Sequence, residues 1–242
     1  MKKDNYLKDI AESKKPFIIY KSNKGFDLFT DFSKKIILSN KNIKNFINNS
    51  IKKKIKNKET DLYIGFFGYE ILNNLIGVKI NKQKGLKFPK GIFYKPETKK
   101  KLSNKLNYKP TDNSKSKGIF NINLNKVSYK NIFNKFKKKI KLGETYQIKI
   151  CTKYRKNSHI DALDFFCRLT KSNMAPEAFM INDKDYSIIS CSPENLITKT
   201  KNIISTKPIA GTLKKTKKLN KSKALIFFRK NLKETKEHNM IV

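Results

Sequence analysis

The sequence predicts an antiparallel, sheet-rich α+β protein. Short apolar runs recur at hairpin-like spacing, and amphipathic helical stretches are interleaved among them without the strict alternation a doubly wound parallel sheet needs. No internal repeat is visible. The apolar fraction of 38%, with 17 Phe and 10 Tyr, is enough for a folded core despite the charge.

Along the chain, residues 14–40 hold two apolar runs about Gly25 and read as strands. Ile43, Phe46, Ile47, Ile51 and Ile55 follow at helical spacing. "DLYIGFFGYEIL" reads as an aromatic strand in which Gly65 and Gly68 point to close backbone approach. Another short strand lies between Pro89 and Pro96. Residues 97–118 are polar and aperiodic, which predicts a linker and divides the chain into regions 1–118 and 119–242. Beyond it, Ser128 is the expected cap of a helix carrying Ile132, Phe133, Phe136 and Ile140 and ending at Gly143, with Val127 stapled against Ile132. "ETYQIKICTKYR" alternates as a strand. Ser158 and Asp161 are spaced as a capping box for a helix with Leu163, Phe166, Cys167 and Thr170 inward. Strands are predicted on both sides of a turn at Asp183 and through "NIISTKPIAGT". One helix is expected over about 220–242, carrying Leu225, Phe228, Leu232 and Met240.

The formal net charge of +37 raises the possibility of a Lys-rich, non-enzymatic binder of nucleic acid. Only Arg155, Arg168 and Arg229 are arginines, however, and the lysines are spread along the whole chain. Phosphate clamping and base readout favour the planar fork of Arg. The joint excess of Lys, Asn, Ile, Phe and Tyr matches drift in an A+T-rich genome, so nucleic acid is not the expected partner. Cys151, Cys167 and Cys191 have no metal-ligand spacing and only two histidines for company, which argues against a disulfide framework or a zinc site. No signal-like apolar segment and no run near the ~18 residues of a membrane span is present. A cytoplasmic protein is expected.

Four stretches in order carry a family resemblance: "LGETYQIKICTKY" (142–154), "SIISCSPENLI" (187–197), "KPIAGT" (207–212) and "KETKEHNMIV" (233–242). Together they resemble the chorismate-utilising enzymes, which include component I of anthranilate synthase, component I of aminodeoxychorismate synthase, and isochorismate synthases. "YIGFFGYEI" (63–71) adds weaker support. The resemblance implies that 119–242 belongs to the chorismate-binding domain and 1–118 to the N-terminal region of a synthase component. It implies that Gly211 and Thr212 bind substrate. A glycine lets backbone N–H groups approach a carboxylate, and the threonine adds a hydroxyl donor. It implies Mg²⁺ as cofactor, with Glu237 a metal ligand and Glu234 a catalytic acid or water-mediated ligand. Three residues apart, the two share a helix face. His238 receives no role.

By the same resemblance, the reaction adds ammonia to chorismate and eliminates pyruvate. The ammonia would come from a glutamine amidotransferase subunit, component II. Some relatives carry a nucleophilic Lys at position 210; Ala210 cannot attack the ring, which favours anthranilate, with aminodeoxychorismate the alternative product. "NMAPEAF" (173–179) and "FIIYKS" (17–22) stand where anthranilate synthases build a tryptophan pocket, but Glu177 and Ala178 depart from that pattern, so feedback is not expected and the aminodeoxychorismate alternative gains ground. The family domain continues past the Glu-His helix, so the 242 residues are expected to be a fragment that is inactive alone.

Overall fold

The computed structural model describes residues 5–52, 62–78, 88–109, 119–209 and 211–241. They form two compact units, one of residues 5–109 with 162–241, the other of residues 119–161. In chain order the strands are β1 (Phe17–Ser22), β2 (Gly25–Ile37), β3 (Ile64–Phe67), β4 (Gly91–Leu102), β5 (Asn121–Ile122), β6 (Tyr154–Arg155), β7 (Glu177–Asn182), β8 (Ser187–Ser192), β9 (Asn195–Thr200) and β10 (Ile203–Lys207). The helices are α1 (Asn5–Glu12), α2 (Ile43–Lys52), α3 (Tyr69–Leu75), α4 (Lys126–Lys141), α5 (Ala162–Ser172), α6 (Lys221–Lys230) and α7 (Leu232–Ile241).

The first unit is built on a six-stranded sheet in the order β3-β4-β2-β1-β7-β8, antiparallel at every pairing. The expected α+β, antiparallel architecture is therefore observed. β1 pairs with β7 from Phe17 opposite Asn182 to Tyr20 opposite Phe179, so one sheet takes strands from both sides of residue 118. Period-two alternation sorts β1 between two cores. Phe17 and Ile19 pack with Phe26, Leu28 and Met180 against α1 and α5, while Ile18 packs with Phe29, Ile92, Tyr94 and Ile181 on the other face. α5 holds the expected Leu163, Phe166 and Cys167 inward, all buried. Leu38, Ile43 and Ile71 form a third cluster where α2 and α3 meet the chain.

Several expectations change. α1 lay unread in the sequence; its buried Leu7 and Ile10 are one turn apart. Gly65 does sit at a close approach, since a Cβ there would fall 1.9 Å from the Ile92 carbonyl oxygen. The strand nevertheless stops at Phe67 and α3 takes over. β4 runs to Leu102, well into the stretch read as a linker, because Lys99 to Leu102 pair with Phe29 to Phe26 of β2. Pro96 is tolerated inside β4 because it pairs with Phe32 beside the register shift between Phe32 and Lys34, where a missing N–H costs least. Ile55 and residues 110–118 lie outside the described residues.

In the second unit, α4 is capped by Asn125, whose Oδ1 accepts the Ser128 N–H at 2.8 Å. Ser128 therefore lies inside the helix, as does Val127. Gly143, at φ 75°, follows its end as expected. Of residues 144–155 only Tyr154 and Arg155 pair, with Asn121 and Ile122; the alternation in 144–153 has no described strand beside it. α5 starts at Ala162, so Asp161 and not Ser158 holds the position before it. The single C-terminal helix is instead α6 and α7, divided at Asn231, which has an extended backbone at ψ 98°.

Candidate functional site

β8 ends before Pro193, which cannot continue the hydrogen-bond ladder. The Ser192 hydroxyl accepts the Glu194 N–H at 3.2 Å and donates to the Glu194 carbonyl at 3.0 Å, closing a tight turn. The β9-β10 hairpin then reverses at Lys201, with φ 54°. After β10, the Ile209 N–H donates to Glu194 Oε1 at 3.1 Å. The acid of the Ser-Pro-Glu stretch thus anchors the turn leading to Gly211, a positioning role that no sequence pattern signalled. Ala210 lies outside the described residues.

The acidic helix is set by Asn231. Its N–H donates to the carbonyls of Phe227 and Phe228, ending α6, and its Oδ1 accepts the Glu234 N–H at 3.3 Å, starting α7. Thr235 Oγ1 reaches back to the Phe228 carbonyl at 3.2 Å. This corner directs Glu234 at Gly211. A Cβ on Gly211 would fall 1.7 Å from Glu234 Oε2 and 2.4 Å from its Cδ, so only glycine leaves the carboxylate its present place.

Both residues line a cleft of about 430 Å³. Its apolar walls are Leu225 and Phe228; Arg229, Thr235 and His238 complete the lining. The Glu234 side chain is only 15% exposed, and Oε2 is buried without a hydrogen-bond partner among the described residues. Lys233 Nζ lies 3.7 Å from Oε1 but is 80% exposed, and such a surface pair contributes little. A buried carboxylate oxygen without a donor is costly and calls for a proton, a water or a cation. Glu237 is half-buried one turn on and lies outside the cleft lining; Thr212 is exposed and also outside it. Among the described residues no three His, Cys, Asp or Glu side chains are gathered as a metal cluster. Two carboxylates one turn apart, one with an unsatisfied oxygen, nonetheless suit Mg²⁺, which is commonly held by one or two carboxylates with water and substrate completing its shell.

A model of chorismate binding enzymes matches residues 11–242. The chain belongs to the chorismate-binding enzyme family. Among individual relatives, it is 33% identical over 156 residues to anthranilate synthase component 1 of Buchnera aphidicola subsp. Rhopalosiphum padi, covering 60% of this chain and 30% of that one. It is 33% identical over 125 residues to anthranilate synthase component 1 of Saccharomyces cerevisiae, covering 51% and 25%. An anthranilate synthase component I-like protein of Synechocystis is 27% identical over 207 residues, covering 74% and 42%. The chain thus spans between 25% and 42% of the length of these relatives.

Elsewhere in the first unit, β1 meets the segment before β7. Tyr20 Oη donates to Glu177 Oε2 at 2.8 Å, Asn195 Nδ2 donates to Glu177 Oε1 at 3.2 Å, and Lys21 Nζ donates to the Ala175 carbonyl at 2.7 Å. Burial, together with the bond to Glu177, pushes the Tyr20 phenol up to about 12. Glu144, of the stretch at 142–154, lies in the second unit and pairs with Lys139. No helix among the described residues is long and apolar enough to cross a membrane.

Proposed function

We propose that this chain supplies the substrate turn and the acid pair of an anthranilate synthase component I. The contact between Gly211 and the buried Glu234 carboxylate is the observation that carries the reading. A doubly charged ring acid needs amide donors and a cation. The Gly211 turn offers the first, with the Thr212 hydroxyl available beside it, and Glu234 and Glu237 would hold Mg²⁺ for the second. When bound, Mg²⁺ would polarise a substrate carboxylate and offset charge developing on the ring. Leu225 and Phe228 would keep bulk water from the ring, and the proton that ammonia sheds on adding would go to the departing hydroxyl, which leaves as water. Ammonia enters beside the ring carboxylate as that hydroxyl is lost, and pyruvate is then eliminated.

The component 1 names of the relatives and Ala210 favour anthranilate over aminodeoxychorismate. A glutamine amidotransferase is the proposed ammonia donor. Residues 1–242 are proposed to need further polypeptide for activity. Leu196, Ile197, Ile203 and Ile204 of the β9-β10 hairpin are each at least 66% exposed, on both faces, which is unusual for apolar strand residues without a covering partner.

The protein made from the natural gene, at its full length, tests the reading. With chorismate, ammonium and Mg²⁺ it is expected to release blue-fluorescent anthranilate. A product that needs an added lyase to become p-aminobenzoate would shift the assignment, and no consumption of chorismate would remove it. Tryptophan is expected to leave the initial rate unchanged, because Tyr20, Lys21 and Glu177 bond to one another or to nearby backbone where a feedback pocket would lie. Rates measured with and without millimolar tryptophan check this.

A further inference from the structure

A second cleft lies in the first unit and shares no lining residue with that of Gly211 and Glu234. It encloses about 540 Å³, the size of a small-molecule site. Three stretches of chain converge on it. α1 brings Lys8, the segment after β4 brings Leu106 to Lys109, and α5 brings Asp164, Arg168 and Lys171. The last three recur at the helical repeat and so share one face of α5. Four cations thus surround one carboxylate, and that carboxylate is already engaged. The Asp164 side chain, only 20% exposed, accepts Arg168 Nε at 2.8 Å. This contact orients the guanidinium and leaves its two terminal amino groups for another acceptor. Lys8 lies 3.7 Å from Glu12 in a loose surface pair. Neither Lys109 nor Lys171 has a side-chain hydrogen bond or ion pair among the described residues. Lysines elsewhere on this surface face open water. Here they ring a concavity, whose walls concentrate their field on whatever enters. Leu106 and Tyr108, packed against the core behind them, add an apolar wall.

We propose that this cleft is a binding site for a small organic diphosphate, of the nucleoside diphosphate class. A single carboxylate answers one or two of the cations. A diphosphate offers several acceptor oxygens and enough negative charge to engage cations from all three stretches at once. The terminal amino groups of Arg168 can take two phosphate oxygens in parallel bonds, while the lysines act as point charges. Leu106 and Tyr108 receive the organic part beside the charged end. The inference does not depend on the chorismate reading, because the two clefts have no residue in common.

The test is calorimetric titration of the full-length natural gene product with ADP and with AMP, without Mg²⁺. Salt at about 0.15 M screens loose attraction to the lysine surface. Wild type is expected to bind one ADP per chain, and AMP at least about tenfold more weakly. Lys171→Gln and Arg168→Gln should each weaken ADP binding about 10- to 100-fold, the usual span for a hydrogen bond to a charged group. Arg168→Lys should recover part of the loss. Lys137→Gln on α4, with the same change of charge outside the cleft, should bind ADP as wild type does. Lys171 is exposed, so Lys171→Gln should keep the wild-type melting temperature and chorismate turnover. No saturable ADP binding by wild type, equal affinities for ADP and AMP, or equal losses in Lys171→Gln and Lys137→Gln would overturn the proposal.

Discussion

Glu234→Gln is expected to lower chorismate turnover by the full-length protein at least about 100-fold, the usual consequence of removing one electrostatic contact to a transition state. The substitution keeps the shape that fits against Gly211 and removes only the charge. Its effect on folding should be neutral or favourable, because Oε2 is buried with no donor among the described residues and a neutral amide costs less to bury than a carboxylate. Activity and stability should therefore move independently. Steady-state kinetics alongside urea unfolding checks this. A merely structural glutamate would lose both together, and a solvated one would lose neither.

Asp183→Ala is expected to destabilise the protein by about 3 kcal/mol, as breaking a buried ion pair does. Asp183 lies at the β7-β8 turn with its side chain 3% exposed. It accepts Lys35 Nζ at 2.5 Å, the Tyr94 hydroxyl, and the Lys184 N–H at 2.7 Å; its own N–H donates to the Tyr186 carbonyl at 2.9 Å. These contacts tie β2 and β4 to the β7-β8 hairpin. The low end of the range applies because Lys35, 44% exposed, can return to water when its partner goes. Burial opposes the carboxylate charge, but the bonds from Lys35, Tyr94 and Lys184 outweigh it and hold the Asp183 carboxyl below its usual range. The sign follows from linkage. The unfolded chain takes up the proton first, near pH ~3.9, so the stabilisation is full above that pH and is lost as pH falls through the lower folded value. Urea midpoints of wild type and Asp183→Ala should lie far apart at pH 7 and converge in strong acid. Burial, reinforced by Asp183, drives the Tyr94 phenol in the opposite direction, far above its ordinary value. That contribution persists through neutral pH and is lost only in alkali.

What the sequence made legible was what local periodicity controls. The inward face of α5 was plain because Leu163, Phe166 and Cys167 recur at the helical repeat. Lys99 to Lys101 were not legible as strand. Their place in β4 depends on cross-strand contacts with β2, such as Lys99 with Asp27 at 3.4 Å and its ammonium 5.7 Å from the Phe29 ring, which no hydropathy pattern along one strand contains. Residues 144–153 erred in the opposite direction, since alternation allows a strand but only a partner makes one. The break at Asn231 was written in its capping chemistry but masked by continuous helical spacing across it. Gly211 and Glu234 were linked beforehand only by resemblance. Twenty-odd residues separate them, and the turn held by Glu194 and the corner held by Asn231 and Thr235 are what bring them together.

Chorismate affinity in Gly211→Ala, measured calorimetrically with Mg²⁺ on the full-length protein, tests the central claim most directly. A methyl at this position would fall within 2.4 Å of the Glu234 carboxylate carbon and must displace it, yet it meets only the end of a flexible side chain, so the fold should survive. The glycine and the acid acting on one ligand predict at least a tenfold loss of affinity with an unchanged melting temperature. Wild-type affinity in Gly211→Ala would contradict the account.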